Sequence, residues 1–334
     1  VFICVGTPTN KKSNAANLKY LFQAVKEIRK YIKKYKIIIV KSTVPVTTGD
    51  KVEKILSTKK NKKLIEVVSN PEFLREGEAI RDFTYPDRVV VGTESKKAIK
   101  ILKSLYLPII KKNSRLFFTS RRGAELIKYA SNAFLATKIT YINDLANLCE
   151  KTGADIKDIS TAMGLDQRIG ERFLRPGPAY GGSCFPKDTR AIVETAKKFQ
   201  VRLPIVESTI KSNENRKTLL IKRAEKILEN KVKNKVITFL GVTFKPNTDD
   251  MREASSLKMI PYFARKGAFI KYFDPSGSKH ILNKIKNVKF SNNISSACYK
   301  SDLIILHTEW NEFKIINFRR LVKKNNFKIY DMRN

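Results

Sequence analysis

The sequence predicts an α/β protein: two doubly wound sheets joined by a long central helix and an all-helical middle section. Short, continuous apolar runs occur near both ends, as at Ile37-Ile38-Ile39-Val40. Such runs read as strands of a parallel sheet buried on both faces. They alternate with stretches of helical period, which is the pattern of βαβ units. Between the two ends, residues 120–152 keep a helical period without a single proline.

The elements follow in order. Residues 1–5 read as a buried strand that ends at Gly6-Thr7-Pro8, and residues 15–35 as a helix. Residues 37–40, 65–68 and 88–91 are further short strands. The long helix has a cap at Thr119-Ser120. Its packing stripe is expected to run through Leu126, Tyr129, Ala130, Ala133 and Ala136-Thr137, and its length makes it a natural dimerisation element. Helices continue over 154–163, 188–199 and 203–229. Strands return at 236–240, 269–273, 303–306 and 327–330. The expected domains are residues 1–119, 120–215 and 216–334.

A chain of 334 residues is long enough for several domains. Its apolar fraction of 42% supplies real cores, which excludes global disorder. Cys4, Cys149, Cys184 and Cys298 are scattered, so we expect reduced thiols in a cytoplasmic protein. His280 and His307 are the only histidines and lie in no cluster, so no metal site is expected. No apolar stretch approaches the roughly 20 residues that span a bilayer, and no signal peptide is visible. The net charge of +36 raises nucleic-acid binding as a distant alternative. The lysines are spread along the chain, however, as at Lys33-Lys34, Lys59-Lys60 and Lys197-Lys198, with no basic block. Solvated helix faces account for them better, so neither a nucleic-acid nor a membrane partner is expected.

The run Gly181-Gly182-Ser183-Cys184-Phe185-Pro186-Lys187-Asp188 holds the strongest chemical signal. Cysteine is an effective nucleophile once its proton is removed, and the glycines let backbone approach a ligand. A helix starting here would put Asp188 one turn from Cys184. Thr43 follows a strand end, where open α/β sheets bind ligands. Glu72 and Glu76 follow another strand end; a surface ion pair with Arg75 or Arg81 is the bland reading for them. Lys128 and Asn132 share a face of the long helix. There Lys128 is either a snorkelling core-edge residue or a desolvated cation aimed at a developing oxyanion. Lys245 and Arg252 follow the first strand of the last domain, placed to offer charge to phosphates.

In order along the chain stand FICVGTPTN, KSTVPV, SNPEFLREGEAI, PDRVVVG, ELIKYASNAFLATKITYINDLA, GLDQRIGERFLRPGPAYGGSCFPKD, GVTFKPNTDDMREASSL, YFDP and HTEW. Together they resemble the UDP-glucose 6-dehydrogenase family, among the nucleotide-sugar 6-dehydrogenases. The resemblance implies Rossmann-like end domains and two NAD-dependent oxidations of a sugar C6 through a cysteine thiohemiacetal and thioester. By it, Cys184 matches the nucleophile, Lys128 the oxyanion-stabilising lysine and Asn132 its neighbour. Asp188 matches an aspartate that helps position or activate water, and Glu72 a glutamate with general-base or water-orienting work. Thr43 and Glu76 match contacts at the nicotinamide end of NAD, and Lys187 and Arg252 further cofactor contacts. Phe73, Leu74, Tyr180, Gly181, Lys245 and Arg333 match contacts to the UDP-glucose substrate, with Lys128 and Asn132 beside them. Arg172 matches an arginine that reaches the substrate of a homodimer partner. GDP-mannose and UDP-N-acetylmannosamine are the alternative substrates; PDRVVVG and Phe185 favour UDP-glucose.

Two departures stand out. Ala179 replaces a glycine common in the family, which costs about 1 kcal/mol if that position needs positive φ. No G-x-G-x-x-G occurs in the chain. We therefore expect a fragment cut within its first domain and near the end of its last, one that binds NAD weakly as it stands.

Overall fold

The computed structural model describes residues 1–10, 13–58, 61–110 and 114–333; Lys59-Lys60 lie outside them. The chain divides into two compact units. One comprises Val1–Ala133 and Lys187–Leu203, the other Phe134–Pro186 and Pro204–Asn334.

In the first unit the elements are β1 (Phe2–Ile3), α1 (Lys19–Lys30), β2 (Lys36–Val40), α2 (Thr48–Leu56), β3 (Ile65–Ser69), α3 (Ala79–Thr84), β4 (Arg88–Gly92), α4 (Lys96–Tyr106) and β5 (Arg115–Thr119). The strands lie in the order β1-β2-β3-β4-β5. The apolar run of β2 serves both faces, as its sequence suggested. Ile38 and Val40 pack with Leu21 and Val25 of α1 and Val52 and Leu56 of α2. Ile39 packs on the other side with Ala98, Leu102 and Tyr106 of α4.

One pairing departs from a purely parallel sheet: β3 and β4 run antiparallel, with Ser69 opposite Gly92. A parallel connection needs a crossover that packs back on the sheet. The helix available, α3, has six residues and buries none of them, so it cannot serve as one.

Helix α5 (Arg121–Thr152) runs for 32 residues, and Ala133 is its last residue in the first unit. Ser120 caps it, its Oγ accepting from Gly123 N at 3.1 Å. It is followed by α6 (Ile156–Leu165), α7 (Phe185–Lys198) and α8 (Pro204–Ile227).

The second unit carries β6 (Val236–Leu240), α9 (Ser256–Arg265), β7 (Phe269–Phe273), β8 (Val288–Phe290), β9 (Leu303–Leu306) and β10 (Lys328–Asp331). All pairs are parallel, in the order β10-β9-β6-β7-β8. The chain winds outward from β6 one way, then returns to the other side of it. The gap between β6 and β9 is therefore a topological switch point. Phe239, Ile270 and Tyr272 pack with Met259 and Phe263 of α9 and Leu220 of α8. Leu240 and Ile304 pack on the other face with Trp310 and Phe313. The sequence missed β5 and β8; β8 has three residues, too short for a period to show.

Gly92 marks where α5 lies closest to β4. A Cβ there would stand 2.6 Å from Ala124 Cβ and 2.8 Å from Ser120 O. Gly92→Ala is expected to destabilise the protein by about 1–3 kcal/mol in urea unfolding, the usual cost of overpacking. Unchanged stability would mean the helix start does not press on the strand.

Candidate active site

The carboxyl ends of the first three strands are tied together by hydroxyls. Ser42 Oγ accepts from Val5 N at 2.9 Å and donates to Val5 O at 2.7 Å. Thr7 Oγ1 donates to Thr43 O at 2.7 Å. Thr47 turns the chain into α2 with φ 76°. That turn is held by Glu125 of α5, which is 2% exposed. Its carboxylate accepts from Thr47 N (2.8 Å), Gly49 N (2.7 Å) and Ser69 Oγ (3.0 Å). Burial nevertheless raises its pKa, against the pull of those three donors.

One turn along α5, Lys128 is 3% exposed. Its amine donates to Glu72 Oε1 at 3.3 Å and stands 5.2 Å from the centre of the Phe73 ring. Glu72 Oε2 accepts from Leu74 N at 2.7 Å. Lys41 approaches from the end of β2, its amine 3.3 Å from Asn70 Oδ1. Burial lowers the Lys41 pKa; Glu72 pulls it up and Lys128 pushes it down. Thus Lys41, Glu72 and Lys128 form one charged cluster. Asn132 Nδ2 donates to Asp188 Oδ2 at 2.6 Å, and Lys187 Nζ donates to the other oxygen. Asp188 is 1% exposed, so both donors serve a desolvated carboxylate.

In the second unit the segment before Cys184 is irregular yet largely buried. Ala179 has φ 110° and Gly182 φ 78°. A Cβ on Gly182 would stand 2.7 Å from the Phe244 ring. Gly182 N donates to Arg252 O at 2.8 Å. Cys184 is half-buried, its Sγ 3.5 Å from Ser183 Oγ, and α7 begins at the next residue. Buried Tyr180 meets the Phe185 ring edge-on, with centroids 6.2 Å apart.

The switch point lies in the same unit. A side chain at Gly241 (φ 86°) would collide with Thr308, so β6 and β9 close there only around glycine. His307 is fully buried. Its Nε2 accepts from Ser256 N at 3.1 Å, which leaves the proton on Nδ1, 3.1 Å from Thr308 Oγ1. Burial, then Arg333, push the His307 pKa down to about 3. Arg333 donates to His307 O (2.8 Å) and Phe244 O (3.2 Å). Its Nη1 stands 3.0 Å from where a Gly177 Cβ would be. Half-buried Lys245 lies nearby in sequence, its amine 5.6 Å from the Phe244 ring. Arg252 forks onto Asp250 at 2.8 and 2.9 Å.

Comparison with known proteins decides the family. Residues 1–110 match the NAD binding domain of the UDP-glucose/GDP-mannose dehydrogenase family. Residues 122–215 match its central domain and residues 238–334 its UDP binding domain. The chain belongs to the UDP-glucose/GDP-mannose dehydrogenase family. It is 43% identical to a UDP-glucose 6-dehydrogenase of Rhizobium meliloti (strain 1021) over 96% of this chain and 74% of that protein. It is 43% identical to UDP-glucose 6-dehydrogenase YwqF of Bacillus subtilis (strain 168), over 94% of this chain and 71% of that one. A UDP-glucose dehydrogenase structure from Pyrobaculum islandicum superposes with TM-score 0.90 at 30% identity, covering 100% of this chain and 76% of that chain.

The dehydrogenase-family residues fall into two groups. In the first unit, Lys128 meets both Glu72 and Phe73, and Asn132 and Lys187 both bond Asp188. Leu74 donates to Glu72, while Thr43 and half-buried Glu76 stand on the neighbouring loops. Glu72 pairs with Lys128, and Arg75 pairs with Glu78 and Asp82 instead of Glu72. In the second unit stand Tyr180, Gly181, Cys184, Lys245, Arg252 and Arg333, with Arg172 exposed. Sequence reasoning missed Lys41 and Glu125. Lys41 opens the KSTVPV motif and Glu125 lies three residues before Lys128, so helical spacing was the available signal for Glu125. Among the described residues no group of His, Cys, Asp and Glu could hold a metal ion. No described helix is long and apolar enough to cross a membrane.

Ala179 does carry the positive φ that a glycine would accept. Ala179→Gly is expected to stabilise the protein by about 1 kcal/mol in thermal melts; a loss of stability would show that the loop is unstrained. His307 binds a proton near pH 6.5 when unfolded and near pH 3 when folded. Between those values unfolding takes up a proton, so stability rises with pH and is lost as pH is lowered, by up to about 1.4 kcal/mol per unit. In urea unfolding across that window, His307→Gln should lose stability less steeply; an equal slope would exclude His307 as the source.

Proposed function

We propose that the protein is an NAD-dependent UDP-glucose 6-dehydrogenase that oxidises C6 of the glucose twice, yielding UDP-glucuronate. The observation that carries this reading is the match to proteins of that name along nearly the whole chain; Cys184, Lys128, Asn132 and Asp188, the residues the resemblance would make catalytic, support it. Strands β1 to β3 end at loops bearing Thr7, Thr43 and Glu72, the edge where open α/β sheets take nucleotides, so these residues fit NAD. Thr43 and Glu76 would hold its nicotinamide end, and Lys187 and Arg252 the remainder. Arg252 must then leave Asp250.

When bound, NAD accepts one hydride from C6 in each oxidation. The first oxidation also releases the hydroxyl proton and leaves an aldehyde. The Cys184 sulfur adds to its carbon, and the thiol proton passes to the oxygen, giving a thiohemiacetal. Loss of a second hydride and of the hydroxyl proton gives a thioester on Cys184. Water adds to that carbon, the C–S bond breaks, and the sulfur regains a proton as the carboxylate leaves.

Lys128 would face the oxygen that gains charge in these steps, a role suited to a cation excluded from water. Its Glu72 partner keeps the amine in place and can take a proton from it. Asp188, held by Asn132 and Lys187, would receive the proton of the attacking water. Phe73, Leu74, Tyr180, Gly181, Lys245 and Arg333 would bind the UDP-sugar.

A homodimer or higher homo-oligomer through the central helix is part of this proposal. Phe134, Tyr141 and Leu148 of α5 are 67%, 53% and 58% exposed at seven-residue spacing, an apolar stripe suited to a second copy. Exposed Arg172 would reach the substrate of that copy. We also propose a cytoplasmic setting, which the free cysteines support. The division into residues 1–119, 120–215 and 216–334 belongs to the same reading, supported by the nearby limits of the family domains.

The full-length natural polypeptide should form two NADH per UDP-glucose consumed; a ratio of one, or no NADH, would sink the proposal. Cys184→Ala should lower UDP-glucuronate release by at least about a thousandfold. Release at the normal rate would exclude the covalent route.

A further inference from the structure

The segment Arg175-Pro176-Gly177-Pro178-Ala179-Tyr180 leads into the cysteine run and has no helix or strand. Buried backbone without regular structure must find other hydrogen-bond partners. Helix α8 supplies most of them. Asn213, 3% exposed, accepts from Tyr180 N at 2.8 Å and donates to Tyr180 O at 3.1 Å. One turn on, Arg216 is 6% exposed and donates through Nε to Gly177 O at 2.6 Å. Its Nη1 donates to Asn143 O at 2.9 Å and to Asn147 Oδ1 at 3.1 Å. Asn143 completes the set, its Oδ1 accepting from Gly177 N at 2.8 Å.

Both sides of Ala179 are therefore clamped while Ala179 itself is held at φ 110°. Strained backbone persists only where its surroundings over-determine it. Arg216 spends a buried guanidinium on neutral oxygens, an expensive way to hold a loop that has no other purpose.

We infer that Asn213 and Arg216 are positioning residues of the nucleophile loop. They fix Tyr180 and Gly177, and through the strained Ala179 they set how Gly181 to Cys184 are presented to substrate. This rests on the reading of Cys184 as the nucleophile.

The test uses readouts that need no turnover. Native alkylation by iodoacetamide is followed at Cys184 by peptide mass spectrometry. Exposed Cys4 serves as the control for general unfolding, and the melting temperature is recorded for each variant. UDP affinity is measured by calorimetry. Asn213→Ala should speed alkylation of Cys184 and weaken UDP binding, each by about tenfold, the size of a lost buried hydrogen-bond pair. The rate at Cys4 should not change. Arg216→Lys keeps the charge but loses the fork, and should shift both readouts the same way by less; it carries the test if Asn213→Ala does not fold. Both readouts within twofold of wild type would overturn the inference. Ala179→Gly should shrink the effect of Asn213→Ala, since glycine holds that φ unaided; strictly additive effects would overturn the link to Ala179. Turnover by Cys184→Ala would instead defeat the nucleophile reading and leave the clamp standing.

Discussion

Buried charge on a single helix stripe organises the first unit. Glu125, Lys128 and Asn132 are spaced three and four apart on α5, and none is more than 7% exposed. A charge withdrawn from water is tolerated only when it is paired and hydrogen-bonded. Each of the three therefore dictates the position of another segment. Glu125 draws in the turn before α2 and the end of β3. Lys128 draws in the Glu72 loop, and Asn132 the first turn of α7. The loops at the carboxyl edge of the sheet converge because the helix would otherwise bury unsatisfied polar groups.

The second unit solves a different problem. Its irregular loops have to come close to other segments without regular pairing. Glycine makes the approaches possible at Gly241 and Gly182, where a Cβ would strike Thr308 or the Phe244 ring. Side chains then satisfy the exposed peptide groups. Asp274 accepts from Val242 N at 2.7 Å and Gly277 N at 2.8 Å. His307 bridges the start of α9 and the end of β9 as a neutral ring. Arg333 ties that corner to Phe244 and approaches Gly177. Each is a polar group spent on holding loops, and the loops carry the residues assigned to the UDP-sugar.

Many of the buried polar groups thus gather at the carboxyl edges of the sheets, while both sheet cores are largely apolar packing. This division suits the proposed dehydrogenase chemistry, which would need a thiol, a cation and a carboxylate in fixed places. The cores supply rigidity, and the edge loops supply chemistry.

Periodicity and composition alone determined the α/β class, the long helix from its capping serine to Thr152, and most of the core strands, three of them to the residue. They did so because a fully buried strand and an amphipathic helix each impose a local repeat on the chain. The glycine-cysteine run and the Lys128–Asn132 spacing stand out in the sequence, since both are short-range patterns. The antiparallel β3–β4 pair was not, because it depends on α3 failing to pack. Nor was the partner of Glu72, since Arg75 and Lys128 are equally plausible until the loop is folded. The roles of Lys41, Glu125, Asn213 and Arg216 emerge only in three dimensions. Their partners lie far away in sequence, and no local pattern records which distant backbone group a buried side chain must satisfy.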